Sequence, residues 1–259
     1  MKILFIGDIV GSPGRTIVKE ILPDLRQEEE IDVVIASADN LAGGRGATKG
    51  TVDEMRDAGV DFFTGGDHIF HHKDFEEDIE DLPVLRAANY PGDVPGKGYE
   101  LIDLGEKGNL LLISLLGRTS FGGPQMYLDD PFRKVDEILE EFSKKENLIS
   151  LVDFHAEATS EKNALGFYLD GKVDAVVGTH THIPTCDNRI LPLGTMFVTD
   201  VGMTGNIDSV LGVKKDIIVE FFLTARFQKF EWEKTGAKAF RSVLLDIHSN
   251  QIKRLDFEK

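Results

Sequence analysis

Cysteine is nearly missing from this chain: Cys186 stands alone among 259 residues. No internal disulfide framework can form, which excludes a small stapled scaffold and fits a reducing cytoplasm. Cys186 itself reads as an incidental small loop residue. Long apolar runs are missing as well. The opening Met1-Lys2-Ile3-Leu4-Phe5-Ile6 starts like a signal peptide, but Asp8 stops it far short of an h-region. No later stretch approaches the length of a membrane span, so a cytoplasmic protein without a membrane partner is expected. Basic residues are in the minority, 29 Lys and Arg against 45 Asp and Glu, for a formal net charge of −16. Such a surface repels a polyphosphate backbone, and duplex nucleic acid is not an expected partner. A small anionic ligand stays compatible if bound cations reverse the field locally. Repeats, low-complexity tracts and a Gly-x-Ser-x-Gly elbow are also lacking. Gly7, Gly11 and Gly14 fit neither a dinucleotide nor a Walker spacing and read as turn glycines, with Arg15 a weak candidate for a phosphate contact.

What is present suits one α/β domain over residues 1–259, with 41% hydrophobic and 29% charged residues. Short Ile- and Val-rich runs at 2–6 and 31–37 flank a helix over 15–29 whose Ile17, Val18, Ile21, Leu22 and Leu25 share one face. This is the strand–helix–strand grammar of a buried parallel or mixed sheet. The same grammar predicts a helix at 49–58 and strands near 60–64, 84–88, 98–104 and 110–116. Asp129-Asp130-Pro131 starts a further helix running to about residue 145. Strands are expected at 148–153, 173–177, 195–199 and 217–223, and antiparallel ones at 225–232 and 240–247. Gly117 to Tyr127 reads either as a loop whose aromatic and Met side chains cover a base or as an ordinary surface excursion. The expected architecture is two stacked sheets with helices outside.

Acidic and histidine residues fall directly after the predicted strands: Asp8, Asp39-Asn40, Asp67-His68, His155, and His180 with His182. In open α/β sheets ligands collect at the carboxyl ends of strands, so these turns converge on one crevice. Carboxylates with neutral imidazoles suit manganese, iron or zinc, whereas an all-oxygen set suggests magnesium. Gathering these donors without a cation buries like charges at high cost. Taken singly the residues say less: Asp8 reads equally as a cap, Asp39-Asn40 as turn chemistry and His155 as a satisfied core histidine. His180-Thr181-His182 is more specific, because strand pleating points the two imidazoles the same way and Gly178 permits close approach. His71 and His72 read as exposed loop histidines.

The order Gly7-Asp8, Asp39-Asn40, Gly66-Asp67-His68, Phe154-His155-Ala156-Glu157 and Gly178-Thr179-His180-Thr181-His182 resembles the calcineurin-type metallophosphoesterases. More narrowly it resembles their YmdB-like bacterial branch, through Gly7 to Arg15, Asp153 to Lys162, Asp187 to Pro192 and Thr199 to Gly205. The resemblance implies a four-layer α/β/β/α sandwich of two mixed sheets flanked by helices. It further implies two divalent metal ions and hydrolysis of phosphodiesters such as 2′,3′-cyclic nucleotides. By position, Asp8 and His182 would hold one ion, Asp39 would bridge both, and Asp67, His155 and His180 would complete the second. Asn40 would bind the substrate phosphate, His68 would be the catalytic general acid, and homo-oligomerisation is compatible with the branch. Where the branch usually carries Glu and Asn, this chain has Asp39 and Asp67, and Ser37-Ala38 lacks the usual glycine. The extra charge of Asp67 should tighten cation binding and lower the Lewis acidity of the centre. Two other readings use the same residues: a phosphomonoesterase or nucleotidase, and a metal-binding regulatory protein with an impaired site.

Overall fold

The structure, a computed structural model, describes residues 1–119 and 127–259. Most of the Gly117–Tyr127 loop expected from the sequence therefore lies outside the described residues. From the amino terminus come β1 (Lys2–Ile6), β2 (Asp8–Ile9), α1 (Gly11–Glu28), β3 (Val33–Ser37), α2 (Lys49–Asp57) and β4 (Phe62–Thr64). A short α3 (Phe75–Asp78) leads to β5 (Val84–Leu85), β6 (Tyr99–Asp103) and β7 (Asn109–Leu116). Then follow α4 (Pro131–Glu141), β8 (Leu148–His155), α5 (Thr159–Leu169), β9 (Ala175–Thr179), β10 (Arg189–Ile190), β11 (Met196–Val198) and β12 (Met203–Asn206). The chain closes with α6 (Lys215–Thr224), β13 (Lys238–Phe240), β14 (Ser242–Asp246), β15 (Gln251–Arg254) and β16 (Phe257–Glu258).

Strand alternation explains how these elements stack. In β1, Ile3 and Phe5 point one way and join Val33, Ile35, Leu110, Leu112, Leu151 and Val177 in a core between two sheets. Leu4 and Ile6 point the other way and pack on Ile17, Val18 and Leu22 of α1 and Val52 and Met55 of α2. Across the molecule, Leu111, Ile113, Val152 and Phe154 pack outward on Val135 and Ile138 of α4 and Leu165 and Leu169 of α5. The result is the expected α/β/β/α order. Both faces of both sheets are covered, which is why their strands read as continuous apolar runs.

One sheet has the order β15-β14-β1-β3-β4-β5, the other β10-β11-β9-β8-β7-β6. Strands β1, β3, β4 and β5 run parallel, as do β7, β8, β9 and β11; antiparallel pairing occurs at the β14–β15 side of the first sheet and at both edges of the second. The carboxyl ends of the two parallel blocks carry the residues singled out above. A third sheet, β16-β13-β12-β2, lies beyond the sequence expectation; it runs Met203 beside Asp8 in parallel register.

Two expectations near the carboxyl terminus are corrected. Residues 217–223, expected as a strand, lie in α6, and only Ile218 of that helix is buried. A short run of Ile, Val and Phe cannot be told from a buried helix by periodicity. Residues 225–232 form no strand beyond a bridge from Trp232 to Val213. Helix α5 escapes the sequence reading because its buried face carries Lys162 and Gly166 among the apolar residues, which blurs the stripe. No described helix is long and apolar enough to cross a membrane.

Candidate metal centre

Asp8 opens β2 directly after β1, the turns after β3 and β4 deliver Asp39 and Asp67, β8 ends on His155, and β9 is followed by His180 and His182. Asp8, Asp39 and His155 are buried. Two overlapping donor groups result, Asp67 with His155 and His180, and Asp39 with Asp67 and His68, each with ligand atoms within 4.8 Å of one another. His155 Nε2 lies 3.2 Å from Asp67 Oδ1, 3.6 Å from Asp39 Oδ2 and 3.1 Å from His180 Nδ1. His180 Nδ1 is 3.5 Å from Asp67 Oδ1, and its Nε2 is 3.0 Å from Glu157 Oε2. All eight expected residues thus gather at one end of the two sheets.

The placement of each is more particular than spacing alone implies. His180 and His182 do not share a pleat: β9 stops at Thr179, and both residues adopt left-handed backbone, φ +97° and +64°. Such conformations cost about 1–3 kcal/mol for non-glycine residues and persist only where surroundings enforce them. Here the surroundings are two buried carboxylates. The His180 amide donates to Asp8 Oδ2 at 2.9 Å, and Thr181 donates its amide and hydroxyl to Asp200 Oδ2 at 3.1 and 2.7 Å. Asp200 is itself neutralised by the buried Lys162 at 2.6 Å. The two imidazoles consequently face different neighbours: His180 meets His155 and Asp67, whereas His182 Nε2 lies 3.3 Å from Asn40 Oδ1.

Second contacts aim the ligand atoms. His155 Nδ1 meets Thr179 Oγ1 at 2.9 Å, which in turn donates to Asp153 Oδ1 at 2.9 Å, leaving Nε2 for the centre. Asp153 also accepts from Thr64 Oγ1 at 2.5 Å. Asp39 accepts the amides of Gly66 at 2.6 Å and His68 at 3.0 Å, so the β4 turn is fastened to the β3 turn. Gly66 has no substitute there, since a Cβ would overlap the His155 ring. Ser37, in the Ser37-Ala38 pair that lacks the usual glycine, donates to Asp8 Oδ1 at 2.6 Å and fixes that carboxylate.

Charge balance follows the same contacts. Burial raises the Asp8 carboxyl, but His155, His182 and the Ser37 hydroxyl outweigh it and hold the pKa below the ordinary value. Asp67 is also held down, burial being overcome by its bonds to His155 and His180. Burial lowers the His155 pKa, yet Asp39, Asp67 and Asp8 together push it up to about 10. Burial above all pushes Asp153 up to about 7, against the opposing charge of His155. Burial lowers His68 too, but its bond to Asp39 and the nearby carboxylates leave it raised, whereas burial depresses His182.

The donor set fits divalent cations on an independent observation: His182 Nδ1 is buried and has no hydrogen-bond partner among the described residues. Two imidazole nitrogens 3.1 Å apart, His155 Nε2 and His180 Nδ1, likewise face the same carboxylate oxygen of Asp67. A cation accepts lone pairs from all of them at once. Mixed oxygen and nitrogen donors of this kind suit manganese, iron or zinc.

Some expectations are sharpened or removed. Asn40 Nδ2 is engaged by the Gly44 carbonyl at 2.9 Å, so its amide belongs to the loop as well as to the crevice. Arg15 is held by Glu54 at 2.6 Å and by the Leu41 carbonyl at 2.5 Å, and serves as a structural strut. Glu157, Asp153, Thr179 and Asp200 are site residues that sequence reasoning missed. Asp153, Glu157 and Thr179 lie within two residues of a histidine, whereas Asp200 stands in the Thr199–Gly205 stretch with none nearby. The apolar wall of the crevice, Leu211, Val213, Phe230 and Trp232, had no sequence signal.

Residues 4–259 match the family described as YmdB-like protein. The chain is 44% identical, over all of its length and 96% of the relative's, to a 2′,3′-cyclic-nucleotide 2′-phosphodiesterase of Bacillus subtilis (strain 168). A solved structure of a hypothetical protein from Thermus thermophilus superposes with TM-score 0.92 at 40% identity, both chains being fully covered. The crystal structure of a novel phosphatase from Mycoplasma pneumoniae gives TM-score 0.90 at 30% identity, over 100% of this chain and 93% of that one.

Proposed function

The chain belongs to the YmdB-like protein family, and from that premise we propose that it is a metal-dependent phosphodiesterase acting on 2′,3′-cyclic nucleotides. The observation that carries the reading is the sharing of Asp67 between two donor groups at the carboxyl ends of both parallel blocks. Asp8 and His182 would hold one divalent ion, Asp39 would bridge both, and Asp67, His155 and His180 would complete the second. The Bacillus subtilis relative, named for 2′,3′-cyclic nucleotides, supports the substrate class. Residues 1–259 act as one catalytic unit, since both six-stranded sheets contribute ligands.

Divalent cations held there supply Lewis-acid polarisation of the phosphoryl oxygens and lower the pKa of water. The protein's own part is orientation and proton transfer. A carboxylate only accepts, so the 3.0 Å contact between His68 Nδ1 and Asp39 Oδ2 makes Nδ1–H the donor. Nε2 is then the atom that gives its proton to the leaving ribose oxygen, and the bond to Asp39 raises the ring's pKa against burial, which favours the protonated form. Asn40, fixed by Gly44 and lining the crevice beside His68, presents a neutral amide to the phosphate without competing for cations.

The test is hydrolysis of 2′,3′-cyclic AMP beside 3′-AMP and 5′-AMP by manganese-loaded protein. Preferential opening of the cyclic ester supports the reading. Release of phosphate from the monoesters instead would assign a phosphomonoesterase. Loaded protein inert toward all three would leave a metal-binding regulatory role.

A further inference from the structure

The crevice that holds the donor groups has a second, chemically different side. Asn40, His68, His180 and His182 line a cavity of about 250 Å³ whose opposite wall is Leu211, Val213, Phe230 and Trp232. Phe230 and Trp232 also line an adjoining cavity of about 440 Å³, together with Arg45 and His72. The aromatic pair therefore stands between the phosphate chemistry and an open, partly cationic outer chamber.

This wall is fastened to the catalytic loop. Trp232 bridges to Val213, and the Glu233 amide donates to the Gly212 carbonyl at 2.8 Å. The indole lies against the Gly44 backbone so closely that a Cβ there would overlap the ring, and Gly44 adopts φ +92°. The carbonyl of that same Gly44 holds Asn40 Nδ2 at 2.9 Å. Trp232 and the phosphate-facing amide thus meet at one glycine. Phe230 and Leu211, by contrast, are 38% and 41% exposed, large apolar surfaces left open beside a polar centre. Arg45 at the lip has no ion pair or side-chain hydrogen bond among the described residues.

We propose that Phe230 and Trp232, with Leu211 and Val213 in the same wall, form the nucleobase subsite of this enzyme. The inference rests on the cyclic-nucleotide reading above and deepens it. In a 2′,3′-cyclic phosphate the phosphorus is fused to the ribose, so the only large group left to extend from the metal centre is the base, one sugar away. A flat π-system that needs no particular hydrogen bond is what an aromatic wall binds, and stacking of this kind is sequence-tolerant. Phe230 is the exposed stacking face, Trp232 the anchored one.

Trp232 is the sole tryptophan of the chain, so its emission reports directly on this wall. Manganese-loaded protein titrated with 3′-AMP is expected to show quenching of Trp232 and affinity about tenfold above that for ribose 5-phosphate, within the range of one base–aromatic stack. Phe230→Ala should remove about tenfold from 3′-AMP binding and leave ribose 5-phosphate unchanged, while Phe230→Tyr restores it. In turnover, Phe230→Ala should raise KM for 2′,3′-cyclic AMP about tenfold with kcat nearly constant, and leave glycerol 1,2-cyclic phosphate unaffected. Equal affinity for 3′-AMP and ribose 5-phosphate, or equal losses on both in Phe230→Ala, would overturn the subsite. The titration decides the subsite whether or not cyclic nucleotides turn over. Absence of hydrolysis with base-selective quenching intact would overturn the catalytic reading alone.

Discussion

His155 Nε2 lies 3.2 Å from Asp67 Oδ1, across 88 residues of sequence and from one six-stranded sheet to the other. The contact joins the ends of β8 and β4, and it holds the buried imidazole against carboxylates that push its pKa up to about 10. A proton on His155 and a divalent cation compensate the same negative charge, so the two compete for it.

Chelation should expose that competition. Removing metal with EDTA is expected to abolish hydrolysis and lower Tm by about 5–10 °C, as for a ligand present at roughly a hundred times its Kd. In the chelated protein, stability from the His155 imidazolium is full below its unfolded pKa of about 6.5. It is lost as pH rises through about 10. Thermal melts from about pH 6 to 10 should therefore fall for chelated protein and stay flatter for loaded protein. Parallel profiles would show that His155 is not at the cation site.

Thr179 is the link between His155 and Asp153, bonded to each at 2.9 Å. Thr179→Val keeps the shape and removes the hydroxyl. Metal affinity or kcat should drop about 10–100-fold, as for other groups that orient metal-binding histidines. Calorimetric titration with Mn2+ measures the first, and unchanged affinity and rate would assign Thr179 to packing only.

His68→Ala tests the acid. For 2′,3′-cyclic AMP, whose leaving alkoxide needs a proton, kcat should fall about 10²–10⁴-fold. For bis(p-nitrophenyl) phosphate, whose leaving group departs unaided, the loss should be much smaller. Metal content, read by elemental analysis, should stay near that of the parent. A uniform loss on both esters would move His68 from proton donor to ligand.

Asp67→Asn replaces a carboxylate that belongs to both donor groups. The Mn2+ Kd should rise about tenfold or more, since one negative charge leaves the ligand set. At saturating metal kcat should hold or increase, because a less neutralised centre is the stronger Lewis acid. A collapse of kcat in fully loaded protein would contradict this.

Lys162 and Asp200 form a buried pair 2.6 Å apart that carries the Thr181 turn. Lys162→Met leaves Asp200 charged and unneutralised, so urea denaturation should show a loss of about 3–5 kcal/mol. The backbone of His180 and His182 loses its anchor in the same step, so metal affinity should fall with stability.

The layered core is legible without coordinates. Ile3 and Phe5 against Leu4 and Ile6, or Leu110 and Leu112 against Leu111 and Ile113, alternate with the strand period, and burial on both faces follows from that composition. Helix α6 reads wrongly as a strand because Ile217 to Leu223 carries β-branched and aromatic residues without a polar stripe. The third sheet is invisible for another reason: β2, β12, β13 and β16 are two to four residues each, too short to show a period.

Strand-end position determined the candidate ligands, since a parallel strand delivers whatever follows it to its carboxyl end. That much is local chain geometry and needed only sequence. Which atoms meet was decided by tertiary structure alone. Asp8 finds the His180 amide 172 residues away, His182 finds Asn40 at 142, and Trp232 settles on Gly44 from a segment that alternates like a strand but forms only an isolated bridge. The left-handed backbone of His180 and His182 is likewise imposed from outside, by Asp8 and by Asp200 with its lysine. No local preference selects those angles; packing and charge between distant strands enforce them.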